Sequence, residues 1–207
     1  MTPRPLRSAR RRAAAAAALL ALTTACSAGA PVADAEYYLD LSDDPMAAST
    51  AELTTVDGDA WTFADVADDR LTLLFFGYTS CPDVCPMTMA DIDVALDQAG
   101  ETAEDFDVVM VSTDPARDTD EQLRTWLDRF DPGFQGVRGD IDTTVGAAAD
   151  YGIAIEAPRE TEGEYLVTHG GRIVVLLPTG EAAGMFDEGA EADQIAGLLP
   201  TLRDDLL

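Results

Sequence analysis

The chain has 207 residues, 47% hydrophobic and 25% charged, the composition of a globular protein with one core and room for a tail. That excludes wholesale disorder and collagen-like structure. The charge is lopsided: 13 arginines and no lysine face 39 acids, and beyond residue 25 the 8 remaining arginines leave a formal −31, which disfavours nucleic acid and anionic lipid as partners and fits a surface adapted for solubility.

The first dozen residues hold Arg4, Arg7, Arg10, Arg11 and Arg12, and no acid appears before Asp34. An apolar run, Ala13–Leu22, follows them. It is too short for a bilayer core, which takes about 20 residues, and the basic start with an apolar middle reads as a signal peptide over residues 1–25. Leu22-Thr23-Thr24-Ala25-Cys26 resembles a bacterial lipoprotein cleavage site, where Cys26 becomes the lipidated first residue. The expectation is export and anchorage to the outer face of the cell membrane, an oxidising and metal-accessible setting. Residues 26–50 lack periodicity and are expected to be a tether, with the folded domain at 51–207.

Within that domain, Leu53–Val56 and Trp61–Phe63 flank Asp57-Gly58 and predict a hairpin. Leu71–Gly77 is a short apolar run, hence a buried strand, and residues 86–99 carry Met89, Ile92, Leu96 and Ala99 at helical spacing. Val108–Ser112 predicts a second buried strand. Asp120–Phe130 predicts a helix facing inward with Leu123, Trp126, Leu127 and Phe130, capped by Asp118 with Glu121 or by Thr119 with Gln122. A short helix is expected over Thr143–Tyr151, ended by Gly152. A hairpin follows, with strands Ile173–Leu177 and Ala183–Phe186, and then a terminal helix, Ala192–Leu206, kinked or broken at Pro200. This order predicts an α/β fold: a central mixed sheet flanked by helices, with an N-terminal hairpin, as in a thioredoxin-like core.

Chemistry is concentrated in few residues. Cys26 belongs to the anchor, Cys81 and Cys85 are the other cysteines, and His169 is the sole histidine. The pair follows a strand in Cys81-Pro82-Asp83-Val84-Cys85-Pro86, and prolines are tolerated in the first turn of a helix, so the thiols are expected at a helix entrance. Residues i and i+4 in a helix have Cα atoms about 6.2 Å apart, within reach of a disulfide at up to about 6.8 Å. The same separation lets two thiolates converge on one ion, and the positive helix end favours the thiolate. Two thiolates and an imidazole suit Cu(I). Structural zinc takes four protein ligands, which here would require a carboxylate such as Asp83. His169 precedes a strand as Cys81 follows one, so adjacent strands would bring both to one edge of the sheet.

Three segments then carry a family resemblance. Phe75-Phe76-Gly77-Tyr78-Thr79-Ser80-Cys81-Pro82-Asp83-Val84-Cys85-Pro86 resembles the signature of the Sco/SenC family, membrane-attached proteins of thioredoxin fold that assemble the copper site of cytochrome c oxidase. Val111-Ser112-Thr113-Asp114-Pro115-Ala116-Arg117-Asp118-Thr119 is similar to its S-x-D-P-x-R-D-T segment, and Tyr165-Leu166-Val167-Thr168-His169 to the stretch that carries its copper histidine. The resemblance implies copper ligation by Cys81, Cys85 and His169, as Cu(I) and also Cu(II). Asp114, Arg117 and Asp118 are read as a turn and helix cap beside the site. Asp83 is read as an acid that tunes the thiols or favours the helix start. The implied partners are an oxidase subunit and a thiol reductant. Thr168 and Gly170 stand where the family often has Asp and Ser.

Two function classes compete. A metallochaperone would hold copper on reduced thiols and pass it on by ligand exchange. A thiol–disulfide oxidoreductase would use Cys81 and Cys85 as its catalytic pair, although enzymes of this fold usually carry C-x-x-C and a proline before the third strand. Peroxidase chemistry would want threonine where Tyr78 stands, and a purely structural disulfide sits poorly with the proline-flanked helix start.

Overall fold

The structure, a computed structural model, describes residues 35–67, 69–161 and 164–207. The signal peptide, Cys26 and the first part of the expected tether lie outside the described residues. Strand β1 (Tyr38–Asp40) precedes the hairpin β2 (Glu52–Thr55) and β3 (Ala60–Thr62). Then come β4 (Leu71–Gly77), α1 (Val84–Ala99), a 3₁₀ segment (Gly100–Asp105), β5 (Phe106–Ser112), α2 (Asp120–Leu127), β6 (Gln135–Arg138) and α3 (Ile141–Asp150). A small hairpin, β7 (Arg159–Thr161) and β8 (Glu164–Leu166), leads to β9 (Ile173–Leu176), β10 (Ala182–Phe186) and α4 (Ala192–Leu206).

Eight strands form one sheet in the order β1-β10-β9-β4-β5-β6-β2-β3, and β7 pairs only with β8. Strands β4, β5 and β6 run parallel, and β9 lies antiparallel to β4. This is the expected mixed sheet, with the N-terminal hairpin attached to it through β6. Every residue of β4 is buried because both faces of the sheet are covered. Leu71, Leu73 and Phe75 face a core with Met89 and Ile92 of α1, Leu123 and Leu127 of α2, and Ile195 and Leu199 of α4. Leu74 and Phe76 face a second core with Ala147, Ala148, Tyr151 and the β2–β3 hairpin.

Several expectations need correction. The domain begins before residue 51: β1 pairs with β10, Met46 bridges to Ala182, and Ser49 bonds to Tyr151 and Asp150. Sparse apolar residues hid this segment, because an edge strand three residues long has no periodicity to read. Helix α2 stops at Leu127, three residues short of Phe130. Helix α4 runs unbroken through Pro200, which lies on its exposed face while Ile195, Leu198, Leu199 and Leu202 hold it down on either side. Here packing outweighs the proline's missing donor.

Tyr151 fastens the N-terminal segment. Its hydroxyl accepts the Ser49 N–H at 3.0 Å and donates to the Gly180 carbonyl at 2.8 Å, all in a buried setting. Tyr151→Phe leaves both partners unpaired and should destabilise the domain by about 1–3 kcal/mol. Burial pushes the phenol up to about 12, with the Asp150 charge acting the same way and the Ser49 N–H opposing it. A folded-state value above the unfolded one gives stability that is complete below about pH 10 and lost as pH rises toward 12. Urea titrations between pH 8 and 12 should therefore show a shallower alkaline decline for Tyr151→Phe than for wild type.

Candidate metal-binding site

Strand β4 ends at Gly77, and the chain turns through Tyr78, Thr79 and Ser80 to Cys81, whose N–H donates to the Tyr78 carbonyl at 3.3 Å. Only Cys85 lies on α1; Cys81 sits just ahead of it. The i, i+4 spacing therefore places one thiol in the loop and one in the first turn. The Cys81 sulfur accepts the Cys85 N–H at 3.4 Å, as a capping side chain would, while Asp83 occupies the cap position without a side-chain bond. Both thiols are free. Gly77 makes room for them: a Cβ there would lie 3.1 Å from Cys85 Sγ and 2.5 Å from the Phe75 ring.

The two sulfurs are electrically unlike. Burial pushes the Cys81 thiol up, but the N–H groups of Asp83 and Cys85, the Cys85 thiol and the Tyr78 hydroxyl outweigh it and leave the thiol below its ordinary value. Cys85 is fully buried, and desolvation drives its thiol far upward against an opposing Tyr78 N–H, with Cys81 and Asp118 adding to the rise. Cys81 is thus the more readily ionised of the two thiols.

His169 precedes β9, and the antiparallel pairing of β9 with β4 brings it to the same end of the sheet. The Gly170 N–H donates to the Phe76 carbonyl at 2.9 Å. A Cβ on Gly170 would collide with Ile153 and come within 3.3 Å of Phe76 Cβ, so glycine permits this close approach. The imidazole packs against Tyr78, with ring centroids 6.3 Å apart, and its Nδ1 is buried without a hydrogen-bond partner. An open cleft of about 460 Å³, lined in part by Ile153, His169, Arg172 and Glu188, borders it. Among the described residues no three His, Cys, Asp or Glu side chains gather closely enough to hold an ion. The structure thus pairs Cys81 with Cys85 and brings His169 to their end of the sheet without joining it to them.

The second motif forms the expected turn: the N–H groups of Arg117 and Asp118 donate to the Asp114 carbonyl at 3.1 and 2.9 Å. Thr119 and Gln122 form the capping box of α2. Asp118 is instead fully buried: its carboxylate accepts Thr79 N–H at 3.2 Å, Thr79 Oγ1–H at 2.6 Å and Ser112 Oγ–H at 2.6 Å. It ties the cysteine loop to the end of β5. Asp114, also fully buried, pairs with Arg117 and accepts the Tyr165 hydroxyl at 3.0 Å. Sequence reasoning gave no role to Tyr78 or Tyr165. Tyr78 lay inside the first motif, next to the cysteine loop, and Tyr165 opened the third; a phenol beside a thiol or a buried acid was the available signal.

A model of the family described as SCO1/SenC matches residues 42–202. The chain belongs to the SCO1/SenC family. A protein of Stutzerimonas stutzeri named for copper binding is 31% identical over 189 residues, which are 89% of this chain and 93% of the relative. The mitochondrial SCO1 homologue of Homo sapiens is 29% identical over 76% of this chain, but the match spans only 53% of that longer protein. Among solved structures, copper-bound ScoI of Bradyrhizobium japonicum superposes with a TM-score of 0.64 at 29% identity, covering 74% of this chain and 98% of the other. The thioredoxin-like fold of this SCO1/SenC chain is thereby established. Its N-terminal match at residue 42 agrees with a domain that starts ahead of residue 51.

Proposed function

We propose that this chain is an extracytoplasmic copper chaperone, anchored through Cys26, that takes up Cu(I) on Cys81, Cys85 and His169 and delivers it to the copper site of cytochrome c oxidase. The observation that carries this reading is the sole free dithiol of the domain, poised at a helix start, at the same sheet end as an imidazole with an unpartnered nitrogen. Soft thiolates favour Cu(I), and an imidazole completes a three-coordinate set. Because His169 is not joined to the thiols, metal capture includes a movement of its segment toward them. Cys85 must shed a proton on binding, so uptake releases acid and strengthens with rising pH. The acidic surface suits a recipient or reductant with basic character.

The inequality of the two thiols favours a second activity. A Cys81 thiolate would attack a disulfide of an exported protein and form a mixed disulfide. Cys85 would then displace the substrate thiol, leaving a Cys81–Cys85 disulfide that an external dithiol reduces back. The deciding experiment offers copper and zinc in competition to the reduced, purified chain. One equivalent of Cu(I) with zinc excluded is the expected result, and the disulfide form should take up no Cu(I). Zinc retained in preference to copper would overturn the chaperone reading.

A further inference from the structure

The β7–β8 hairpin stands apart from the main sheet, yet Val167, Thr168 and His169 follow it directly. Besides the Gly170–Phe76 bond, two side-chain attachments among the described residues hold the hairpin and the segment after it. At the base, Thr168 Oγ1 donates to the Glu156 carbonyl at 3.0 Å and accepts the Glu156 N–H at 2.5 Å. Farther out, Tyr165 donates its hydroxyl to Asp114 Oδ1 at 3.0 Å, and the Arg117 guanidinium lies over its ring, 4.2 Å from the centroid. Arg117 also pairs with the second oxygen of the same carboxylate, so acid, cation and phenol form a closed triangle.

Asp114 is not an isolated surface acid. It is fully buried, its N–H donates to Ser112 Oγ at 3.2 Å, and Ser112 Oγ donates to Asp118 at 2.6 Å. Asp118 in turn holds Thr79, two residues before Cys81. One unbroken run of hydrogen bonds therefore links the hairpin ahead of His169 to the loop that carries Cys81. Each link is made by a buried or charge-assisted group, the kind that fixes geometry rather than merely coating a surface.

We propose that Tyr165 is a positioning residue for metal capture: its bond to Asp114 latches the β7–β8 hairpin and sets where His169 is presented to the Cys81–Cys85 pair. This rests on the reading of His169 as a ligand. Tyr165 touches no thiol in the contacts described, so it acts through the histidine. Tyr165 is 38% exposed and belongs to neither core cluster, so removing its hydroxyl leaves the core intact.

The test is a double-mutant cycle on the full chain, with Cu(I) affinity read by competition against a chromophoric chelator. Tyr165→Phe should weaken Cu(I) binding about 10-fold, at the low end of what groups that orient a metal ligand contribute, with far-UV circular dichroism unchanged. In a His169→Ala background the same substitution should change affinity less than about twofold, because the ligand it orients is gone. X-ray absorption of the loaded Tyr165→Phe protein should show loss of the nitrogen ligand in part of the population. An equal effect of Tyr165→Phe with and without His169 would overturn the proposal, as would wild-type affinity in the single variant. Wild-type affinity in His169→Ala alone would instead refute the ligand reading beneath it, so the two failures are distinguishable.

Discussion

Asp118→Ala should lower the stability of the domain by about 3–5 kcal/mol, a large share of a typical domain's margin. The substitution strands the Thr79 N–H, the Thr79 hydroxyl and the Ser112 hydroxyl, all of which now end on one buried carboxylate. Hydrogen bonds to an ionised acceptor contribute more than neutral ones, and a donor left unpaired in the interior bears its full desolvation cost. Asp118→Asn keeps one acceptor oxygen and should lose less. Urea unfolding, compared at equal slope, measures both. A loss under about 1 kcal/mol for the alanine variant would show that water replaces the carboxylate. The effect should also reach the site, because Thr79 anchors the loop that holds Cys81; the alanine variant that remains folded should bind Cu(I) more weakly than the asparagine one.

His169→Ala should reduce Cu(I) affinity by at least about 100-fold, beyond the 10- to 100-fold that orienting groups usually supply. The dithiol remains, so the variant should still take up one equivalent, now two-coordinate through sulfur. The fold should survive the change: His169 sits in a loop, belongs to neither core cluster, and its Nδ1 satisfies no partner. Competition against a chelator of known affinity gives the ratio directly. A ratio near one would leave the two cysteines as the whole site.

Much of this fold was legible because its strands are short apolar runs. Leu71–Gly77 and Val108–Ser112 announce themselves, as does the pairing of β9 with β10 through a glycine-containing turn, although β5 begins two residues before Val108, at Phe106. What stayed hidden was structure held by neighbours rather than by pattern. Strand β1 is three residues on a sheet edge; β6 has one valine among Gln135, Gly136 and Arg138; and the β7–β8 hairpin has a charged sequence. For the site, composition singled out the residues: a chain with one histidine and one free dithiol offers little choice. Of the two caps legible for α2, Thr119 with Gln122 is the one that forms, which frees Asp118 for the cysteine loop, a contact only the tertiary structure reveals. Only tertiary structure could show that Tyr165 reaches Asp114 across 51 residues.

The docking of β1 also shortens the leash. With Tyr38 fastened to Phe186 at the sheet edge, the first strand lies 12 residues from Cys26, against 25 for a domain that began at residue 51. Fully stretched, the shorter span is about 40 Å at roughly 3.5 Å per residue. If Cys26 carries lipid, as proposed, the domain would stay within about that distance of the bilayer and would meet partners embedded in, or resting on, the same membrane.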